Sequence, residues 1–355
     1  MGHLHFICSA ILIVGAAPTF LAFWLVWKIL SLILPGWMYQ EIDDIFFGSY
    51  QKYILFFFEH CSGLKVYFSG DFDGLKQENA LYLSNHQSTA DWIACNSVAV
   101  RNKSIGQIRY VMKDGLQTIP MYGFYFYQHA CVYVNRDAFR PQKMLEALDY
   151  LKHPKIRSWV VIFPEGTLFD PVDIPTIEKS RKIAEEKKLP VLGNHLTPRY
   201  RGAYMIFDRL KEKLDAVYNV TYVYDNSMTD EGRKTAPQLI DILLGRCKEI
   251  RVHLKRIPID NVPNDQEKFK LWIHELFKDN DDFISQFFNP KKRISMTSGA
   301  KEVPLSFYDT LPSFLFFTAT LLPLLFSPVW RQLYFYTIVL GSVLGYMWLG
   351  IKSVS

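Results

Sequence analysis

Cysteine is scarce in this chain of 355 residues: there are five, at positions 8, 61, 95, 131 and 247, odd in number and widely spaced. Such a set builds neither a disulfide framework nor a zinc site, and it fits a reducing compartment. A long basic stripe is also missing. Lys and Arg number 40 against 35 Asp and Glu, a formal net charge of +5, and no nucleic-acid-binding motif accompanies them, so nucleic acid is not an expected partner. The chain shows no internal repeat and no low-complexity tract.

Charge itself vanishes from three stretches. Positions 6–27, 311–330 and 332–351 hold no Asp, Glu, Lys or Arg, and each reaches the roughly 20 residues that a helix needs to cross the hydrocarbon core. No basic residue precedes the first run, and "KILSLILPGW" offers no small-residue cleavage site. A retained anchor is therefore expected rather than a signal peptide. Pro18 interrupts it, so a bent or re-entrant path competes with a straight span. The last two runs are parted only around Arg331, which predicts a hairpin. "PKKR" at 290–293, with Lys301, precedes them as a juxtamembrane cluster meeting anionic lipid or as a solvated loop. The sequons at Asn102 and Asn219 go unused if the central region faces the cytosol.

Between the apolar ends the pattern changes. Phe47, Tyr50, Ile54 and Phe57 fall at helical spacing, giving an aromatic face that suits either a core or a membrane interface. From about residue 64 to 257, β-type runs ("VYFSG", "ALYLSN", "IRYVMK", "ACVYVNR", "WVVIFP", "LPVLGN", "AVYNVTYVY") alternate with amphipathic helical ones. That alternation predicts one α/β domain with a mixed sheet covered by helices. The expected organisation is an anchor over 1–36, an interfacial helix over 37–63, the α/β domain over 64–289, a basic linker over 290–304 and a transmembrane hairpin over 305–352.

Two copies of His-x4-Asp occur. His274 and Asp279 sit in "KFKLWIHELFKDNDD", a helix dense with both charges, where a solvated face is the expectation. His86 and Asp91 instead follow the apolar strand "ALYLSN", at a strand end where α/β proteins gather ligand groups. Gln87, Ser88 and Thr89 would cap the next helix, with Asp91 about a turn and a half inside it. A carboxylate that orients a histidine makes it a competent general base near neutral pH. "FPEGT" at 163–167 also ends an apolar run; Gly166 permits a tight turn there, and Thr167 with free amides can cradle an anion. Glu165 in that turn would accept from hydroxyls or orient a basic partner. Lys113, Arg136 and Arg199 stand at comparable places, and Arg is suited to bidentate phosphate contact.

Taken in order, "NHQSTADW", "ACVYVNR", "FPEGT" and "LTPR" resemble the four blocks of the glycerophospholipid acyltransferase family, membrane enzymes that move an acyl group from acyl-CoA to a lysophospholipid. The similarity extends over most of the chain and is closest to the epsilon type of 1-acylglycerol-3-phosphate acyltransferase; the lysocardiolipin branch shares much of it. The resemblance implies His86 as base and Asp91 as its partner, acting on lysophosphatidic acid with acyl-CoA as co-substrate. It implies no acyl-enzyme, no metal and no other cofactor. Arg136, Glu165, Gly166, Thr167, Arg199 and Lys113 are the expected acceptor-phosphate contacts. Membrane lipids are the expected surroundings, in the endoplasmic reticulum or the mitochondrial outer membrane, with the catalytic domain facing the cytosol. Leu168 departs from the family pattern, which usually has Arg there, and Ala130 stands where Gly is frequent. The alternatives are a different lysophospholipid acceptor, a metal-dependent phosphatase or hydrolase using His86, Asp91 and Glu165 as ligands, and a non-catalytic membrane scaffold.

Overall fold

The computed structural model describes residues 2–135, 141–230, 232–289, 291 and 299–354. Arg136 and most of the basic cluster at 290–293 lie outside them. The strands are β1 (Lys65–Gly70), β2 (Ala80–Ser84), β3 (Ile108–Lys113), β4 (Val132–Val134), β5 (Trp159–Ile162), β6 (Ala216–Tyr224), the short β7 (Met228–Thr229) and β8 (Gly232–Arg233), β9 (Glu249–Pro258) and β10 (Lys301–Glu302). The helices that matter below are α1 (Gly2–Leu30), α2 (Gly36–Leu55), α3 (Asp91–Arg101), α4 (Tyr122–Gln128), α5 (Pro141–Leu151), α6 (Ile174–Glu186), α7 (Tyr200–Leu210), α8 (Leu239–Leu243) and α9 (Gln266–Phe288), followed by Phe307–Leu321 and Pro328–Val354.

The chain forms two compact units that interleave in sequence. One comprises residues 58–102 and 159–305; the other comprises 1–57, 103–158 and 306–355. This division differs from the expected one, since residues 103–158 group with the apolar terminal helices rather than with the rest of 64–289.

The first unit contains the strand order β10–β1–β9–β6–β2–β5. β2 runs parallel to β5 and β6, β6 antiparallel to β9, β9 parallel to β1, and β1 antiparallel to β10. Every residue of β2, β5 and β6 is buried, as in parallel strands covered on both faces, which is why they read as continuous apolar runs. β9 was not among the expected strands. Ile250, Val252 and Leu254 are buried and alternate with Arg251, His253 and Lys255, a period-two pattern in which charged residues mask the signal. "LPVLGN" forms no strand, because the amides of Gly193 and Asn194 donate to the Asp281 carboxylate instead of a ladder.

In the second unit α1 continues through Pro18 as one helix of 29 residues, which favours a span over a re-entrant turn. Three helices are long and apolar enough to cross a membrane: His5–Ile33, Phe307–Phe326 and Pro328–Ile351. The break between the last two falls at Ser327, between Pro323 and Pro328. Arg331 is inside the final helix, and its guanidinium donates back to the carbonyl of Leu324 at 3.0 Å. The aromatic face of α2 is packed rather than presented outward. Phe47, Tyr50 and Ile54 are buried, and Tyr50 stacks on Phe20 of α1 at 4.7 Å and meets Phe317 edge-on at 5.5 Å.

Candidate active site

The site is built in the first unit where β2 ends. Asn85 fixes the strand's exit by a reciprocal pair with β6: its amide group donates to the Tyr222 carbonyl at 3.1 Å and accepts from the Tyr222 N–H at 2.8 Å. The chain then turns, and Asp91 opens α3. It is the first residue of the helix, not a turn and a half inside it, and Gln87, Ser88 and Thr89 belong to the turn before it. That placement lets one carboxylate do several things at once. Its Oδ2 accepts from His86 Nδ1 at 2.8 Å, from the Gln87 N–H at 2.8 Å and from the Ser88 N–H at 3.1 Å. Its Oδ1 accepts from the Tyr224 hydroxyl at 2.7 Å. Free amides at a helix start stabilise an anion there. With Nδ1–H committed to Asp91, Nε2 carries the ring's free lone pair. The His86 side chain keeps 21% of its surface exposed while Asp91 keeps 1%, so the ring is reachable from solvent and its carboxylate partner is not. The ring lies parallel to Phe163 at 4.4 Å, which fixes its plane.

Glu165 holds backbone. It is buried, and its two oxygens accept the backbone N–H of His86 and of Leu196, both at 2.8 Å. It staples the loops after β2 and β5 to the segment leading into α7. Burial pushes its carboxyl up to about 8, against the opposing pull of those two hydrogen bonds and of Arg233. Gly166 has a φ of +78°, and a Cβ there would meet the Arg199 side chain at 3.2 Å. Glycine is thus needed both for the turn and for the guanidinium lying over it. Arg199 and Thr167 are exposed. His86 and Asp91 after β2, Gly166 after β5 and Arg199 at the start of α7 therefore lie in one unit, with the Arg199 side chain against Gly166.

Lys113 is exposed at the end of β3, in the second unit. Arg136 lies outside the described residues. His274 corrects the expectation of a solvated face: it is buried, with Nδ1 donating to the Lys270 carbonyl at 2.5 Å, while Asp279 is exposed. The amphipathic face of α9 turns that histidine inward, and burial lowers its affinity for a proton.

Several polar contacts carry no signal in the local sequence. Tyr224 on Asp91 comes 133 residues later, with no local signal. A second histidine–aspartate pair, His195 with Asp281, spans 86 residues at 3.0 Å. In the second unit His129 and Asp43 meet at 2.5 Å, and Arg109 donates to His129 Nε2 at 2.9 Å and to Asp44 at 2.5 Å. Asp43, Asp44 and His129 cluster closely enough for a metal ion, but that guanidinium already occupies the imidazole's remaining nitrogen.

Comparison with known proteins decides the family. A family model described as Acyltransferase matches residues 65–222, and one described as Acyltransferase C-terminus matches 241–316. The 1-acyl-sn-glycerol-3-phosphate acyltransferase epsilon of Mus musculus is 36% identical over 99% of this chain and 97% of its own length. This chain belongs to the 1-acyl-sn-glycerol-3-phosphate acyltransferase family. An Arabidopsis thaliana protein named "Probable 1-acyl-sn-glycerol-3-phosphate acyltransferase 5" is 30% identical over 80% of this chain and 73% of its own. The crystal structure of the 1-acyl-sn-glycerophosphate acyltransferase PlsC from Thermotoga maritima aligns with 80% of this chain and 98% of its own at 15% identity, with a TM-score of 0.46. In this acyltransferase Ala130, at the position where the family's block often has Gly, takes the left-handed conformation with φ +59°. A β-carbon there costs on the order of 1–2 kcal/mol.

Proposed function

We propose that this acyltransferase transfers an acyl group from acyl-CoA to the free sn-2 hydroxyl of 1-acylglycerol-3-phosphate, forming phosphatidic acid for phospholipid synthesis. The observation that carries the reading is the His86–Asp91 pair, with its partly exposed ring, tied through the His86 N–H and Glu165 to the turn where Gly166 lies under Arg199. His86 Nε2 accepts the hydroxyl proton as that oxygen attacks the thioester carbonyl. The tetrahedral oxyanion collapses, the C–S bond breaks, and the imidazolium returns the proton to the departing thiolate. No residue is acylated. Asp91 holds the ring tautomer and stabilises the imidazolium. Positioned proton transfer supplies about 10²–10⁴-fold, leaving the rest to proximity and oxyanion stabilisation. Arg199, the turn at Gly166, Thr167 and Arg136 receive the acceptor phosphate.

A lysophospholipid with another headgroup, such as lysocardiolipin, is the second reading, supported by Leu168 in place of the family's usual Arg. A metal-dependent hydrolase is disfavoured: His86 Nδ1 is bonded to Asp91, and the Glu165 oxygens are bonded to amides.

The three apolar helices support delivery of the lipid substrate from a bilayer. We place the catalytic residues on the cytosolic side, in the endoplasmic reticulum or mitochondrial outer membrane. Asn219 is useless as a glycosylation reporter for this orientation, because it is buried in a reciprocal amide pair with Asn280 at 2.8 and 2.9 Å. Asn102 is the informative sequon, and its modification in cells would overturn the orientation.

The deciding experiment is an acceptor panel with one acyl-CoA on purified protein in detergent, with and without chelator. Turnover of 1-acylglycerol-3-phosphate that survives chelation is expected. Turnover confined to other acceptors would replace the substrate, and loss on chelation would revive the hydrolase.

A further inference from the structure

Arg233, the last residue of β8, lies in the loop after β6 and reaches back to the turn that holds His86. One terminal nitrogen donates to Gln87 Oε1 at 2.6 Å; the other donates to the Asn194 carbonyl at 2.7 Å and to Asn194 Oδ1 at 3.2 Å. Its faces are covered by Phe169 at 4.4 Å and Phe288 at 4.9 Å. Gln87 in turn donates to the Tyr222 carbonyl at 2.6 Å, so this one side chain links Arg233 to β6. The same loop is stitched to the His86 turn again: Ser88 donates to the Pro237 carbonyl and Thr89 to Gln238 at 2.7 Å. Thr235 adds a bond to Asp170 at 2.8 Å.

We infer that Arg233 is a positioning residue, a fork that holds the His86 turn through Gln87 and offsets the negative charge buried around it. This rests on the proposed role of His86. The guanidinium feels Glu165, Asp281, Asp91 and Asp170, and it also acts on the neutral His195. Burial lowers it only to about 10, so it stays cationic at neutral pH. Arg199 is exposed and able to meet a phosphate; Arg233 has its nitrogens aimed at protein and its faces under rings. Lysine cannot replace such a planar fork. Without it the Gln87 side chain loses its acceptor role and the turn loosens, and displacement of a base by about 1 Å costs on the order of 10²-fold.

The test uses the full-length enzyme in detergent and four variants: Arg233→Met, Arg233→Lys, Gln87→Met and the Arg233→Met/Gln87→Met double. Wild-type transfer to 1-acylglycerol-3-phosphate, with its loss in His86→Ala, establishes the function separately. Given that, kcat is expected to fall about ten- to a hundredfold in Arg233→Met, with KM within about threefold of wild type. Arg233→Lys should recover less than half of the lost activity. The acid limb of kcat/KM should move to higher pH in Arg233→Met, because the guanidinium opposes proton binding by the Glu165 carboxyl, which holds the His86 N–H. The double variant should be no worse than the worse single, since both act through one contact. Wild-type kcat in Arg233→Met, a rise in KM alone, or multiplicative losses in the double would each overturn the inference. If Arg233→Met fails to fold, Gln87→Met and Arg233→Lys decide: normal kcat in both overturns it.

Discussion

Two histidine–aspartate turns in the same unit have nearly the same plan. Asp91 takes His86 Nδ1 and the two amides that follow the histidine; Asp281 takes His195 Nδ1 and the two amides that precede it, at 2.6 and 2.9 Å. Both carboxylates fix a ring tautomer. The other face of the ring separates them. His86 has a partly exposed side chain, whereas His195 has none of its side chain exposed and its Nε2 has no partner among the described residues. Burial with Arg233 nearby holds His195 below the usual imidazole range, so it stays neutral at physiological pH. A dyad is therefore not enough to make a base; a reactant must be able to reach the second nitrogen.

The comparison breaks first at His86. Replacing it with alanine should lower kcat by about 10²–10⁴-fold while the protein still inserts and purifies normally. Steady-state turnover checks this, and near-normal activity would remove His86 from the chemistry.

Glu165 supplies the next largest effect. An amide in its place accepts one of the two N–H bonds and opposes the other, so Glu165→Gln should cost about tenfold or more in turnover through a loosened His86 turn. It also carries a pH signature. The folded-state value, about 8, lies above the ordinary 4.5. The stability this group contributes is therefore complete below about pH 4.5 and is lost as pH rises through 8. The melting temperature of wild type relative to Glu165→Gln should decline across that window, and a difference flat with pH would contradict the assigned burial effect.

Smaller effects sharpen the acceptor side. Arg199→Ala should raise the apparent KM for 1-acylglycerol-3-phosphate about tenfold, the worth of one charge-assisted contact near 1.5 kcal/mol. Leu168→Arg should lower it by about tenfold at most. If neither variant moves KM, the phosphate does not sit over the Gly166 turn.

The smallest effect on activity belongs to the second dyad. His195→Ala should leave kcat within about threefold, while stability falls by about 1–3 kcal/mol because Asp281 loses a hydrogen-bonded partner. Loss of turnover comparable with His86→Ala would erase the distinction.

What could be read from sequence was local. His86, Asp91 and Gly166 each follow an apolar run, and a strand end is visible within ten residues. The direction of a side chain is not. Glu165 looked like a ligand because its residue type and position were visible, while the two amides it caps come from residues 79 and 31 positions away. His195 and Asp281 carry no shared local pattern, and Arg233 lies in a loop with no strand signal beyond two residues. The solvated reading of His274 failed for a related reason: charge density along α9 hid which face was buried. Sheet order was likewise incompletely legible, because β9 alternates charged with apolar residues.

The hydrogen bond from Tyr224 to Asp91 and the grip of the 233–238 segment on the His86 turn bear on the order in which the chain is made. During synthesis the histidine emerges early, but the hydroxyl that braces its aspartate follows 133 residues later and the fork of Arg233 later still. Contacts so distant along the chain close only when the intervening segments have been synthesised and packed. A nascent chain ending before position 224 carries every atom of the dyad without its frame. On the proposed mechanism, then, the frame of the dyad closes only late in translation.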